Sequence, residues 1–149
     1  MGFSNSLITV LYSPNDLYPA EQMQLGGPYS VRGFQPAELI GDYGVTATAE
    51  YRFPIPFLGH IAPKLDERIK LAAFYDFGWI DSNSHIDYPA KFLHSVGFGT
   101  YLNLTDWLVA QIGVGFPLVD DYCKNTARFY FGINSDLDRI IPLRNPEKL

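Results

Sequence analysis

The sequence predicts an all-β fold of about six antiparallel strands, and three observations point to it. Apolar and polar residues alternate with period two along stretch after stretch, and none keeps the 3.6-residue period of an amphipathic helix. Most of these stretches run about nine to eleven residues, the length a tilted strand needs to cross a bilayer. Long and short connections alternate, as they do when successive turns face opposite sides of a membrane, except that the connection Pro54–Glu67 is long for its side. The totals agree with a single domain: 149 residues, 15% aromatic and 18% charged, against a usual charged share of about 25%. A net charge of −5 argues against nucleic acid as a partner, because phosphate binding needs clustered Lys and Arg. No apolar run approaches the roughly 18 residues of a membrane-spanning helix.

Taken in order, Leu7–Tyr12 is a short apolar run that reads as a strand whose facing is not set. Ser13–Pro19 carries Pro14, Asn15, Asp16 and Pro19 and reads as a turn. A loop over residues 20–43 follows. Its centre crowds Gly26, Gly27, Pro28, Arg32, Gly33 and Phe34 together, so its backbone is shaped rather than slack. Such a loop aims Arg32 at an acceptor, and a guanidinium suits a carboxylate through its planar fork. A glycine-rich turn with a solvated arginine is the plainer alternative. Gly41-Asp42-Tyr43-Gly44 closes the loop.

From Val45 the alternation is clean. Val45, Ala47, Ala49, Tyr51 and Phe53 share one face of a strand that Pro54 and Pro56 end. A connection runs through Glu67. Ile69, Leu71, Ala73, Tyr75, Phe77 and Trp79 share the apolar face of the next strand, opposite Lys70, Ala72, Phe74, Asp76 and Gly78. After a polar loop over Asp81–Pro89, Phe92, Val96, Phe98, Leu102 and Leu104 face one way, with His94 the misfit among them. Asn103–Asp106 reads as a tight turn. Leu108, Ala110, Ile112, Val114 and Phe116 follow, then a polar loop over Pro117–Thr126. Phe129, Phe131 and Ile133 mark the final strand. Residues 1–135 thus form the strand region and 136–149 a charged, proline-bearing tail.

The second face carries Glu50, Arg52, Lys70, Asp76, Gln111 and Arg128 among Gly, Ser and Thr. It suits the wet lumen of a membrane barrel or the solvent side of a soluble β-sandwich. Tyr51, Phe53, Trp79 and Phe116 near strand ends favour the barrel, since outer-membrane barrels carry aromatic girdles there.

No constellation argues for catalysis or a cofactor. His60, His85 and His94 lack zinc-site spacing, and Cys123 has no partner cysteine for a disulfide or a thiolate cluster. Gly97-Phe98-Gly99 lacks the rest of a dinucleotide fingerprint. Gly97, Gly99, Gly113 and Gly115 instead leave room for bulky loop residues to approach the wall. Asp120-Asp121 reads as a solvated pair. Glu50 and Asp76 form a conceivable acid–base pair but with no substrate pocket. The first residues, Met1–Ser6, have no basic segment followed by an apolar core and do not read as a signal peptide; if the protein is exported, its signal is expected on sequence outside this chain.

Two motifs carry a resemblance. Leu25–Phe34 resembles the VRG(F/Y) loop of the superfamily that holds BamA and the two-partner-secretion translocators, the TpsB or haemolysin-activator-like proteins. Phe74-Tyr75-Asp76-Phe77-Gly78 resembles that superfamily's F-x-D-x-G strand motif, and the two stand in the expected order. Glu21-Gln22, Gly41–Gly44 and Glu50-Tyr51-Arg52 look more like the translocator branch. The resemblance implies the C-terminal portion of a bacterial outer-membrane barrel of about sixteen strands, preceded by periplasmic POTRA domains. It implies a lumenal loop carrying Gly26, Gly27, Val31, Gly33 and Phe34, whose Arg32 pairs with Asp76 beside Phe74 and Gly78. The competing expectation pairs Asp76 with Lys70 or Arg52.

The function so implied is export of a secreted partner polypeptide, without bond chemistry, cofactor or metal. The partners are that polypeptide, membrane lipid, and the barrel strands and POTRA domains absent from this chain. An insertase for unfolded outer-membrane proteins is the nearest alternative, and a soluble β-barrel binding a small apolar ligand is an alternative of another class. About six strands cannot close a barrel of that size, so the chain reads as part of a longer protein or a truncated copy. Phe131 supplies the aromatic residue usual in a last strand, although a tail follows it.

Overall fold

Alternation fixes the strands, and their pairing builds one wall. In the computed structural model, residues 3–55, 68–83, 91–119 and 126–135 are described. Six strands form a single antiparallel sheet. They are β1 (Phe3–Leu11), β4 (Tyr43–Pro54), β5 (Ile69–Asp81), β6 (Phe92–Thr105), β7 (Leu108–Pro117) and β8 (Arg128–Ser135), neighbours in that order. Between β1 and β4 the chain leaves the sheet for the arginine loop. There β2 (Met23–Leu25) and β3 (Leu39–Gly41) pair as a small separate ladder.

The two faces divide as the sequence predicts. Opposed residues in an antiparallel pair share a face, so Ala47↔Phe77, Tyr75↔Val96, Val96↔Phe116 and Val114↔Phe129 place the apolar set on one side. That side is bare: Phe98, Ile112, Phe129, Phe131 and Ile133 are all exposed, Phe129 by 83%. An apolar sheet face left this open is what a barrel turns toward lipid. The other face is covered where the loop lies on it. Ala72, Phe74, Asp76, Leu93 and Ser95 are buried there.

The loop brings its own core to that face. Leu25, Val31, Phe34 and Leu39 pack with Ile80, Leu93 and Val119. Burying each such aliphatic or aromatic side chain contributes about 1.5–3 kcal/mol, which offsets part of the cost of ordering the loop.

Three local readings are corrected. The first strand begins at Phe3 rather than Leu7, and Ile8 and Val10 face outward opposite Ala47 and Val45. Asn103–Thr105 stays in β6, because its pairing with β7 carries past a bulge, and the turn is Asp106-Trp107. The short β2–β3 ladder has too few residues for a period to be read. The connection over 56–67, the loop positions His85 and Asp120-Asp121, Cys123, His60 and the tail over 136–149 lie outside the described residues.

Candidate functional site: the loop-to-wall ion network

Arg32 reaches the wall because the loop backbone touches it. Gly33 has a φ of +102° and lies against Gly115 of β7, where any side chain on Gly115 would meet the Gly33 amide nitrogen at 2.6 Å. Only glycine combines that backbone angle with so close an approach. Arg32, 8% exposed as a residue, is thereby laid over β5.

Asp76 receives three bonds from this one residue. Arg32 Nε donates to its Oδ2 at 2.7 Å and Nη2 to its Oδ1 at 2.8 Å, a two-pronged fork, and the Arg32 backbone N–H adds a bond to Oδ2 at 3.1 Å. Arg32 Nη1 donates to Glu50 Oε2 at 2.7 Å. Glu50 in turn accepts from Arg52 Nε at 2.6 Å and from the Tyr101 hydroxyl at 2.8 Å. The Phe74 ring lies beneath the guanidinium, 3.5 Å from its carbon, a cation–π contact. One cation thus ties the loop to β4 and β5, and through Glu50 to β6.

The sequence-predicted residues gather here, with one addition. Arg32, Asp76 and Phe74 meet directly; Val31 and Phe34 are in the loop core, and Gly78 leaves the space that Leu25 and Val31 fill. Arg52 pairs with Glu50, its Nε 2.6 Å from Oε1. Glu50 is the addition. Thr48 lies directly across from Asp76, so Glu50 is its diagonal neighbour on the same face, within reach of a long side chain. Both carboxylates of the conceivable acid–base pair are engaged by Arg32. The wall glycines split in use: Gly115 admits the loop, Gly97 makes room for the Phe74 ring, and Gly99 and Gly113 make room for Tyr130. A polar hollow of about 270 Å³ opens beside the network, lined by Arg32, Glu50, Arg52, Tyr101, Gln111 and Tyr130 among others. Among the described residues no group of His, Cys, Asp and Glu gathers as metal ligands.

A second polar centre sits at the loop's neck, and sequence reasoning did not single it out. Asp42 is fully buried. Its Oδ1 accepts from the Gln22 side-chain amide at 3.0 Å and the Leu17 N–H at 2.9 Å. Its Oδ2 accepts from the Ser82 hydroxyl at 2.6 Å and the Asn83 N–H at 2.9 Å. Hydrogen bonds from Gln22, Ser82 and Leu17 hold this carboxyl well below the usual carboxylate range, against the opposing effect of burial. The Gly41–Gly44 motif was the available signal, but its partners come from three separate places in the chain.

Six antiparallel strands with a bare apolar face, and an inward loop pinned by a buried ion network, define a segment of an outer-membrane barrel wall. The chain belongs to the family described as haemolysin secretion/activation protein ShlB/FhaC/HecB, whose profile matches residues 3–102. It is similar to the outer membrane transporter CdiB of Escherichia coli, 31% identical over 112 residues that make up 72% of this chain and 17% of that protein. A second CdiB, from Dickeya dadantii (strain 3937), is 31% identical over 110 residues, 72% of this chain and 18% of that protein. The solved structure of CdiB from Acinetobacter baumannii matches with a TM-score of 0.66 at 24% identity, over 90% of this chain and 23% of that one. The chain therefore spans under a fifth of the length of the curated relatives it matches. The resemblance to the translocator branch holds, the fold is that of an outer-membrane barrel rather than a soluble sandwich, and the family is one of transporters, not enzymes.

Proposed function

We propose that this chain forms the C-terminal strands of a barrel that exports an unfolded partner polypeptide across the outer membrane. In this reading the polar inner face lines the path, and the loop over residues 20–43 blocks or admits the polypeptide according to whether Arg32 holds Asp76. The remaining strands and the POTRA domains come from sequence outside this chain. The observation that carries the reading is the fork of Arg32 on Asp76, with Glu50 as a second acceptor, made from a loop folded onto the inner face. A charge pair in a partly wet lumen is a contact that a passing polypeptide's own polar groups can exchange with, which an apolar plug is not.

The test is a double-mutant cycle on export of a co-expressed partner polypeptide, with the chain carried in its complete barrel. Arg32→Ala and Asp76→Ala are each expected to lower export, and the double variant to do no worse than the poorer single. Heat-modifiable migration on gels verifies that each barrel has folded. Independent, additive losses in folded barrels would show that the two residues do not work as one latch.

A further inference from the structure

The loop is tied at two places, and left-handed backbone stands between them. At the neck, Asp42 bonds residues 17 and 22 on one side and residues 82 and 83 on the other. The Asp42 N–H also donates to the Asp81 carbonyl at 3.0 Å, and β2 pairs with β3 immediately beside it. Beyond this ladder the tip begins. It is bounded by Gly26 and Gly27, with φ of +100° and +91°, and by Ala37, with φ of +55°. Ala37 is the described non-glycine residue in that region, a conformation that side chains rarely adopt. Left-handed backbone therefore flanks the tip on both sides, between a bonded neck and the Arg32 network.

We infer that Asp42 is a positioning residue that keeps the neck fixed while the tip, from Gly26 to Ala37, leaves and regains the wall as a unit. This rests on the latch reading for what the tip does, but the neck's immobility is a separate claim. Four donors from three separate places in the chain converge on one carboxylate, so no single exchange frees it. Asp76 differs, because all three of its named bonds come from one side chain's residue.

Thiol labelling separates neck from tip. Val31 in the tip and Leu39 in the neck are both fully buried. Each is replaced singly by Cys, in the complete barrel with the native Cys123 changed to Ser, and challenged with a maleimide with and without active export. Export is expected to raise labelling of Val31→Cys at least tenfold and to leave Leu39→Cys protected. Adding Asp42→Ala is expected to expose Leu39→Cys, and Asp42→Asn to do so less, since its one oxygen still accepts from Leu17 and Gln22. Equal labelling at both positions during export, labelling at neither, or protection of Leu39→Cys despite Asp42→Ala would overturn the inference. Arg32→Ala without export reports on the latch alone: failure to expose Val31→Cys sinks the latch and leaves the neck result standing.

Discussion

Two polar centres fasten the same loop, and they are built from opposite materials. The mid-wall centre sets one cation between two carboxylates. The neck centre sets one carboxylate among four neutral donors. The difference lies in what is left when a partner goes. Removing Asp76 from the first leaves a buried cation with Glu50, which it shares with Arg52, whereas removing Asp42 leaves four neutral donors and no excess charge. Charge against charge makes a contact that is strong while complete and costly while half broken, which suits a device with two states. Neutral donors around one carboxylate suit a joint that stays put.

The sharpest way to break this comparison is Asp76→Ala. Arg32 would lose three bonds and keep Glu50, and the folded barrel is expected to lose about 3–5 kcal/mol. Urea unfolding of the barrel in detergent micelles measures it, with Asp42→Ala alongside. If Asp42→Ala shifts the midpoint as far as Asp76→Ala, the excess buried charge is not what separates the two centres.

Next in size is Gly115→Ala. Its new methyl would sit 2.6 Å from the Gly33 nitrogen and 2.7 Å from the Arg32 carbonyl carbon. Backbone cannot yield as a side chain does, so the loop must lift, at about 1–3 kcal/mol. Gly132→Ala is the matched comparison, because its methyl would meet the flexible Gln111 side chain. Equal losses for the two would mean that the loop does not depend on resting against β7. Phe74→Leu follows. It removes the ring under the guanidinium and keeps an apolar side chain, for an expected loss of about 0.5–2 kcal/mol. In an Arg32→Ala background the cation–π share of that loss should disappear, which a double-mutant cycle reads directly.

What was legible in the sequence follows from range. Period two is local, so the faces of Val45–Phe53 and Ile69–Trp79 could be read from neighbours along the chain, and with them the inward side of Asp76. The pairing of Arg32 with Asp76 came from motif resemblance, not from any local rule. Glu50 was placed on the correct face, but its role depends on register: a shift of β4 against β5 would bring a different residue diagonal to Asp76. Asp42 lay inside a motif already noted, yet its donors at Leu17, Gln22, Ser82 and Asn83 meet only after the loop has folded back. The turn at Asp106-Trp107 was read too early because Asn103 and Thr105 are turn-forming by composition, while strand pairing with β7 overrides that preference.

The smallest expected effect comes from pH, and it also distinguishes the two centres. The Asp42 carboxyl titrates below its ordinary value of about 4 because the folded neck bonds its charged form. A lowered value in the fold means that the unfolded chain takes up the proton first as pH falls. The clasp's contribution is therefore whole above about pH 5 and fades below it. Its donors are neutral, and the adjacent Asp81 is paired with Lys91 at 2.7 Å, so among the described residues no other group at the neck adds a slope nearer neutrality. Proteolysis of the loop neck, followed from pH 8 down to pH 3, should stay flat until the acid end and then rise. Asp42→Asn should be more cleavable at every pH and show a smaller acid rise, since the Asp81 carboxyl, held low by its bond from Lys91, still adds its own. A rise already present near pH 6 in the wild type would mean that a histidine, and not this carboxylate, governs the neck.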